Sequence, residues 1–353
     1  QFAAADNNLV NAAQALEEYA RQNLPDLKII HVDLREIEPA LGKFFEIFYD
    51  ITNDRLPMVW GAVYGTFDIE PISLAFRKAN GFQQLFRRRI GRYLKRLSPD
   101  GVIFTNVIPA PMVAPPCKKI FPRVPLAVVA TDYHGHSYYN VPLIDRYFVA
   151  VDGVKDDLVR AGVDKAKIEV TGIPVSQKFY ADYDPMRLKR KLGINNNFKT
   201  VLFVSRLAKD FILPALEGIM GINEKVNLIM VCGGNNELYH RIRNEFPARK
   251  NFKLINWTGR LDEYMKIADV VVSKPGGLMI SECMALGKRM VLTDPIPGQE
   301  KRNAEFMARF GGGRLALDAK QIVLSVNESL RGSEIGNMRS SANASAKILE
   351  FFK

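Results

Sequence analysis

Ten short runs of valine, isoleucine and leucine, falling into two series of five, constrain how this chain can fold more than any other feature. The first series reads KIIHVDL (28–34), DGVIFTNV (100–107), VPLAVVA (124–130), RYFVAV (146–151) and KIEVTG (167–172). The second reads KTVLFVS (199–205), VNLIMVC (226–232), FKLINW (252–257), ADVVVS (268–273) and RMVLT (289–293). Longer amphipathic segments separate them. A strand that is apolar at nearly every position has to be covered on both faces, which is the environment of parallel strands packed between helices. Two doubly wound α/β domains are therefore expected, and 353 residues are enough for two cores of ordinary size.

Between the two series lies PVSQKFYADYDPMRLKRKLGINNNFK (174–199), polar, with two prolines and an Asn run. It reads as an interdomain linker carrying one short helix. The expected division is 1–178, 179–338 and a last helix in 339–353 that docks back towards the first domain. In open α/β sheets ligands bind beyond the carboxyl ends of the strands, which places the expected cleft between the domains. The start, QFAAADNNLV, enters a helix-like pattern almost at once and has no initiator Met, so the first strand is expected to be missing.

Composition narrows the class. With 47% hydrophobic and 25% charged residues the chain is neither disordered nor fibrous. Cys117, Cys232 and Cys283 form no C-x-x-C pair, which fits small buried apolar residues in a reducing cytosol. No apolar run approaches the ~20 residues of a membrane span, and a signal peptide is not visible. The net charge of +11 implies attraction to a polyanion, nucleic acid or an anionic membrane. Phe76 to Leu97, FRKANGFQQLFRRRIGRYLKRL, concentrates eight Lys/Arg and no acid. Phe82, Leu85, Phe86, Ile90, Tyr93, Leu94 and Leu97 recur at helical spacing, leaving Arg87, Arg88, Arg92, Lys95 and Arg96 largely on other faces. That pattern fits a packed helix with a solvated side and equally a membrane-facing surface. No nucleic-acid-binding motif accompanies the charge, so nucleic acid is not expected as a partner.

The densest polar constellation is SKPGGLMISECMALGKRMVLTDPIPGQEKRN (273–303). Gly276 and Gly277 stand at a strand-to-helix turn, where backbone N–H groups and the helix N-terminus can meet an anion such as a diphosphate. Taken alone, Pro-Gly-Gly is a structural turn as readily as an anion site. Glu282 falls about one helical turn further, where a carboxylate can accept both hydrogen bonds of a ribose diol. Two prolines then stiffen a loop that Gly298 opens, and Gln299 and Glu300 follow with groups able to read sugar hydroxyls, or simply to start a helix.

This stretch resembles the donor-binding segment of GT-B glycosyltransferases of the diacylglycerol glucosyltransferase and monogalactosyldiacylglycerol synthase type. More distantly it resembles the N-acetylglucosaminyl transferase acting on the peptidoglycan lipid precursor. TDYHGHSYYNVPLIDRYFVAVDGVKDDLVRAGVDKAKIEVTGIPV (131–175) is similar to the first half of the same family. The resemblance implies a GT-B fold, two Rossmann-like domains facing a central cleft, and an inverting transfer of a hexose from a UDP-sugar to diacylglycerol or a related lipid. It implies no cofactor beyond the UDP-sugar as donor substrate and no tightly held metal, and it places the enzyme in the cytoplasm, peripherally on an anionic membrane. By position, Gly276 and Gly277 would face the diphosphate, Glu282 the ribose, and Gln299 with Glu300 the hexose, with Asn303 supporting that loop. Asp132 and His136 would lie near the acceptor as base candidates, though His136 also fits a histidine satisfied in a polar loop.

Two loops depart from the family. Its Gly-x-Gly-His motif is replaced by Asp6-Asn7-Asn8-Leu9, ahead of the helix at Ala12-Ala13-Gln14-Ala15-Leu16. Where a glycine turn is expected after KTVLFVS, the chain has Arg206-Leu207-Ala208-Lys209-Asp210. Arg206 or Lys209 could neutralise phosphate through its side chain instead. A catalytically impaired homologue that binds UDP-sugar or lipid without turnover is the alternative these departures leave open.

Overall fold

The computed structural model of the chain describes residues 2–3, 7–37, 80–222, 225–332 and 342–353. They form two compact units, each discontinuous in sequence. Unit 1 comprises Gln1–Gln177, Ile296–Asn303 and Ser341–Lys353; unit 2 comprises Lys178–Pro295 and Ala304–Ser340.

Unit 1 is built on a parallel sheet of β1 (Phe2–Ala3), β2 (Val32–Asp33), β3 (Val102–Phe104), β4 (Leu126–Val129), β5 (Arg146–Val149) and β6 (Ile168–Val170). Their order in space is β2-β1-β3-β4-β5-β6. Phe2 and Ala3 form β1, a strand of two residues that pairs with both β2 and β3. The helices are α1 (Asn7–Asn23), α2 (Leu34–Ile37), α3 (Asn80–Leu97), α4 (Ala110–Ile120) and α5 (Asp152–Arg160). β4 is buried at all four positions, as its unbroken apolar run requires. Leu16 and Ala20 of α1 pack with Ala127, Val129 and Phe148 of the sheet and with Ile348 and Leu349 near the C-terminus.

Unit 2 begins with α6 (Pro185–Leu192). Asp184 accepts from the backbone N–H of Met186 and Arg187 at its start, and Gly193 closes it in the left-handed region at φ 69°. Six parallel strands follow: β7 (Lys199–Val204), β8 (Val226–Val231), β9 (Phe252–Ile255), β10 (Val270–Ser273), β11 (Arg289–Thr293) and β12 (Gly313–Ala316). The helices between and after them are α7 (Ile212–Ile222), α8 (Asn236–Glu245), α9 (Leu261–Ile267), α10 (Gly277–Ala285), α11 (Gln299–Arg309) and α12 (Ala319–Arg331). The residues of α11 up to Asn303 belong to unit 1. A last helix, α13 (Ala344–Glu350), lies in unit 1 against α1, with Ser345 Oγ 3.5 Å from the carbonyl of Ala15.

The order in the second sheet is β12-β11-β10-β7-β8-β9. The order in which strands are added across the sheet reverses between β7 and β10, and a parallel sheet has its topological switch point there. The core beneath it joins Val201 and Phe203 of β7, Val270 and Val272 of β10, and Ile322 and Val326 of α12. All three cysteines are buried and unpaired. Burial pushes the thiols of Cys117 and Cys232 up to about 11 and about 12, which makes them packing groups rather than nucleophiles.

Candidate functional site

In unit 2 the residues of interest gather at the carboxyl end of β10, beside the switch point. Ser273 ends the strand, and Gly276 is the N-cap of α10 in an extended conformation, with no side chain capping the helix. Neither Gly276 nor Gly277 has a positive φ. What the pair supplies is therefore the absence of side chains around the first N–H groups of α10, the arrangement that favours an anion.

Glu282 follows on α10. Burial pushes its carboxyl up to about 7; the Lys178 ammonium works against that shift and the Asp262 carboxylate with it. Lys178 Nζ is 3.4 Å from Asp262 Oδ1, and Asp262 is itself buried. Sequence reasoning missed Lys178 and Asp262, because no local pattern brings residues so far apart in the chain to one carboxylate.

The loop after β7 holds its shape without glycine. Ser205 Oγ accepts from the N–H of Leu207 at 3.3 Å, and the carbonyl of Arg206 accepts from Asn235 Nδ2 at 2.7 Å. The glycines that sequence analysis sought after β7 stand after β8: Gly233 and Gly234, both with positive φ. At Gly233 a Cβ would also meet Arg206 Cγ at 2.4 Å, so Gly233 makes room for the arginine stem. Lys209 reaches elsewhere, its Nζ 3.7 Å from Asp294 Oδ1.

In unit 1, Thr131 to His136 follow β4 and meet the start of α11. Asp132 is 5% exposed, and both its carboxylate oxygens accept: Oδ2 from Gln299 Nε2 at 2.6 Å, Oδ1 from Asn303 Nδ2 at 3.1 Å. Asn303, fully buried, accepts the N–H of Tyr133 at 2.9 Å. Four residues expected to serve acceptor, sugar and loop thus divide into an interlocked trio, Asp132, Gln299 and Asn303, and a fourth, Glu300, whose Oε2 accepts the N–H of Ile296 at 2.7 Å. His136 is buried; its Nδ1 accepts from the N–H of Tyr138 at 3.4 Å and its ring stacks on Tyr138.

His134 is tied on both sides. Its Nδ1 is 2.9 Å from Asp157 Oδ2, and its Nε2 contacts the Arg302 guanidinium. Burial would raise the Asp157 carboxyl, but hydrogen bonds from His134 and the N–H of Gly135, with the nearby Arg160, hold it below the usual range. Gly135 is required here by close approach: a Cβ would fall 2.6 Å from Asp157 Cβ and Leu158 Cδ1.

Asp6 lies outside the described residues, and of Asn7, Asn8 and Leu9 only the backbone is described, as the first turn of α1. On α3, Ile90 and Leu94 are fully buried, whereas Arg88, Arg92, Lys95 and Arg96 are exposed and Arg87 is partly so. One face packs, with Gly91 near Ile120 of α4, and the opposite face is basic. Among the described residues no group of three or more His, Cys, Asp or Glu is placed to hold a metal ion, and no helix is long and apolar enough to cross a membrane.

Comparison with known proteins gives the family and the fold. The family model for monogalactosyldiacylglycerol (MGDG) synthase matches residues 10–175, and that for the glycosyltransferase family 28 C-terminal domain matches 201–353. The processive diacylglycerol beta-glucosyltransferase of Bacillus pumilus (strain SAFR-032) is 30% identical over 264 residues, 73% of this chain and 67% of its own. The protein of the same name from Staphylococcus carnosus (strain TM300) is 28% identical over 310 residues, 87% of this chain and 77% of its own. Among solved structures, S. aureus MnaA with UDP superposes at a TM-score of 0.64 and 13% identity, covering 99% of this chain and 93% of that one. Acinetobacter baumannii MurG superposes at 0.60 and 14%, covering 99% and 98%. At such identities the likeness is one of fold, and the fold is GT-B.

Proposed function

Because the chain belongs to the diacylglycerol glycosyltransferases of glycosyltransferase family 28, we propose that it transfers a hexose from a UDP-sugar to diacylglycerol or a related lipid, with inversion, at the cytosolic face of a membrane. The observation that carries the donor half of this reading is the uncapped N-terminus of α10 at the switch point, with Glu282 one turn along the same helix. The backbone N–H groups beyond Gly276 and Gly277 hold the diphosphate, and Glu282 accepts from the ribose hydroxyls. Gln299 and Glu300 face the hexose, and Asn303 keeps Asp132 and the Tyr133 backbone in register with them.

Inversion proceeds in one displacement. The acceptor hydroxyl loses its proton to a base as its oxygen bonds to the anomeric carbon, and the bond to the diphosphate oxygen breaks with its electron pair leaving on UDP. Asp132 is the base of choice. Its carboxylate is oriented by two amide donors, Gln299 and Asn303. His136, which accepts from the Tyr138 backbone, holds the turn that follows it. The exposed basic face of α3 brings the enzyme to anionic lipid.

UDP release from UDP-glucose and from UDP-galactose, measured with and without diacylglycerol vesicles, tests the reading. Lipid-dependent release with at least one donor is expected. Saturable UDP binding without turnover would instead assign the chain to the non-catalytic class.

A further inference from the structure

The loop that replaces the expected glycine turn carries two cations, and they point apart. In the sheet, β8 flanks β7 on one side and β10 on the other. Arg206 leans towards β8, its stem against Gly233 and its carbonyl bonded to Asn235. Lys209 leans the opposite way, its Nζ 3.7 Å from the carboxylate of Asp294, the residue that follows β11. β7 and β11 are not neighbours: β10 lies between them, so the two strands are roughly 10 Å apart. The Lys209–Asp294 pair therefore spans the carboxyl end of β10, where Gly276 opens α10 with no side-chain cap.

The pair is also a loose one. Its members keep 38% and 27% of their side chains in contact with solvent, and their separation exceeds that of a direct hydrogen bond. Asp294 holds φ 45°, in the left-handed region that aspartate tolerates better than most residues.

We propose that Lys209 is the cation that binds the donor diphosphate in this chain, and that Asp294 is the carboxylate it exchanges for that diphosphate. The proposal rests on the UDP-sugar reading of the same site and adds to it a residue and a reason why the family's glycine turn can be absent. Where the family brings backbone N–H groups to the phosphates at this strand, Lys209 brings a point charge across β10 to the negative charge that grows on departing UDP. Arg206, held on the β8 side, is a structural residue of the loop.

Calorimetric titration of the full chain with UDP and with uridine tests this, using Lys209→Ala, Lys209→Arg, Asp294→Asn and Arg206→Ala, each first checked for an unchanged melting transition. Lys209→Ala is expected to weaken UDP by about tenfold or more, the size of a lost charge-assisted contact, and to leave uridine unchanged. Lys209→Arg restores most of that loss. Asp294→Asn, which keeps the left-handed backbone, binds UDP as tightly as the native chain or more tightly, and Arg206→Ala shifts UDP binding by less than about threefold. Native-like UDP affinity in Lys209→Ala overturns the proposal. So does an equal loss in Lys209→Ala and Asp294→Asn, the result for a bridge that only holds two loops together. If the native chain itself binds no UDP, the donor reading falls along with this one; if it binds UDP and Lys209→Ala does too, this one falls alone.

Discussion

A carboxyl pushed up to about 7 cannot hold a fixed charge at neutral pH, and under the proposed donor binding Glu282 would meet two hydroxyl donors. The ionised form offers acceptors to both hydroxyls, whereas the protonated form turns one oxygen into a donor. UDP affinity is therefore expected to rise as pH increases through about 7, with a proton released on binding; titrations in buffers of different ionisation enthalpy measure both. Glu282→Gln should bind more weakly and lose this pH dependence. Stability runs the other way. An unfolded glutamate ionises near 4.5 and the folded one near 7, so between these values the folded state holds the extra proton and stability declines as pH rises. Above that window Glu282→Gln should be more stable than the native chain, by an amount on the order of 1–3 kcal/mol, read from denaturant midpoints at pH 8. A side chain placed for binding at a cost in stability is a common property of functional sites.

At the scale of elements, α3 shows how one helix can serve two environments. Ile90 and Leu94 anchor it, and Leu94→Ala should cost about 2–5 kcal/mol in a denaturant melt. On the far side, each exposed cation is worth about 1 kcal/mol near an anionic surface. Changing Arg88, Arg92 and Lys95 together to Gln should thus lower co-sedimentation with phosphatidylglycerol vesicles by about a hundredfold, with no loss of melting temperature. The amphipathic spacing of this helix was legible in the sequence, and so were ten of the strands, most plainly β4, β8 and β10, which are buried at every position and so leave nearly unbroken apolar runs. β12 was not. It stands at the sheet edge, only Ala316 of its four residues is buried, and Gly313-Arg314-Leu315-Ala316 carries no periodic signal. β1 escaped for a different reason: two residues cannot show a period at all. The candidate site divides in the same manner. Gly276, Gly277 and Glu282 belong to one short stretch and could be read together. Asp132 meets Gln299 and Asn303 across 167 and 171 positions, and Arg206 and Lys209 part company only once the order of strands is known.

For the molecule as a whole, the net charge of +11 makes any association with an anionic surface sensitive to salt, whereas UDP binding at a partly buried site should respond less. The partition of the chain has a more specific consequence. Unit 1 draws on three separate stretches, the last of them Ser341–Lys353, and α13 closes its core through Ile348. Deleting residues 342–353 should strip α1 of amide protection in hydrogen exchange while β7, β8 and β10 of unit 2 keep theirs. During synthesis the same connectivity sets an order of events. The amino-terminal half emerges from the ribosome first, but Leu16, Ala20 and Phe148 still lack Ile348 and Leu349 when the second half is already complete. The unit begun first is closed only after unit 2 has been made, and until residues 342–353 emerge the apolar face of α1 waits for its cover.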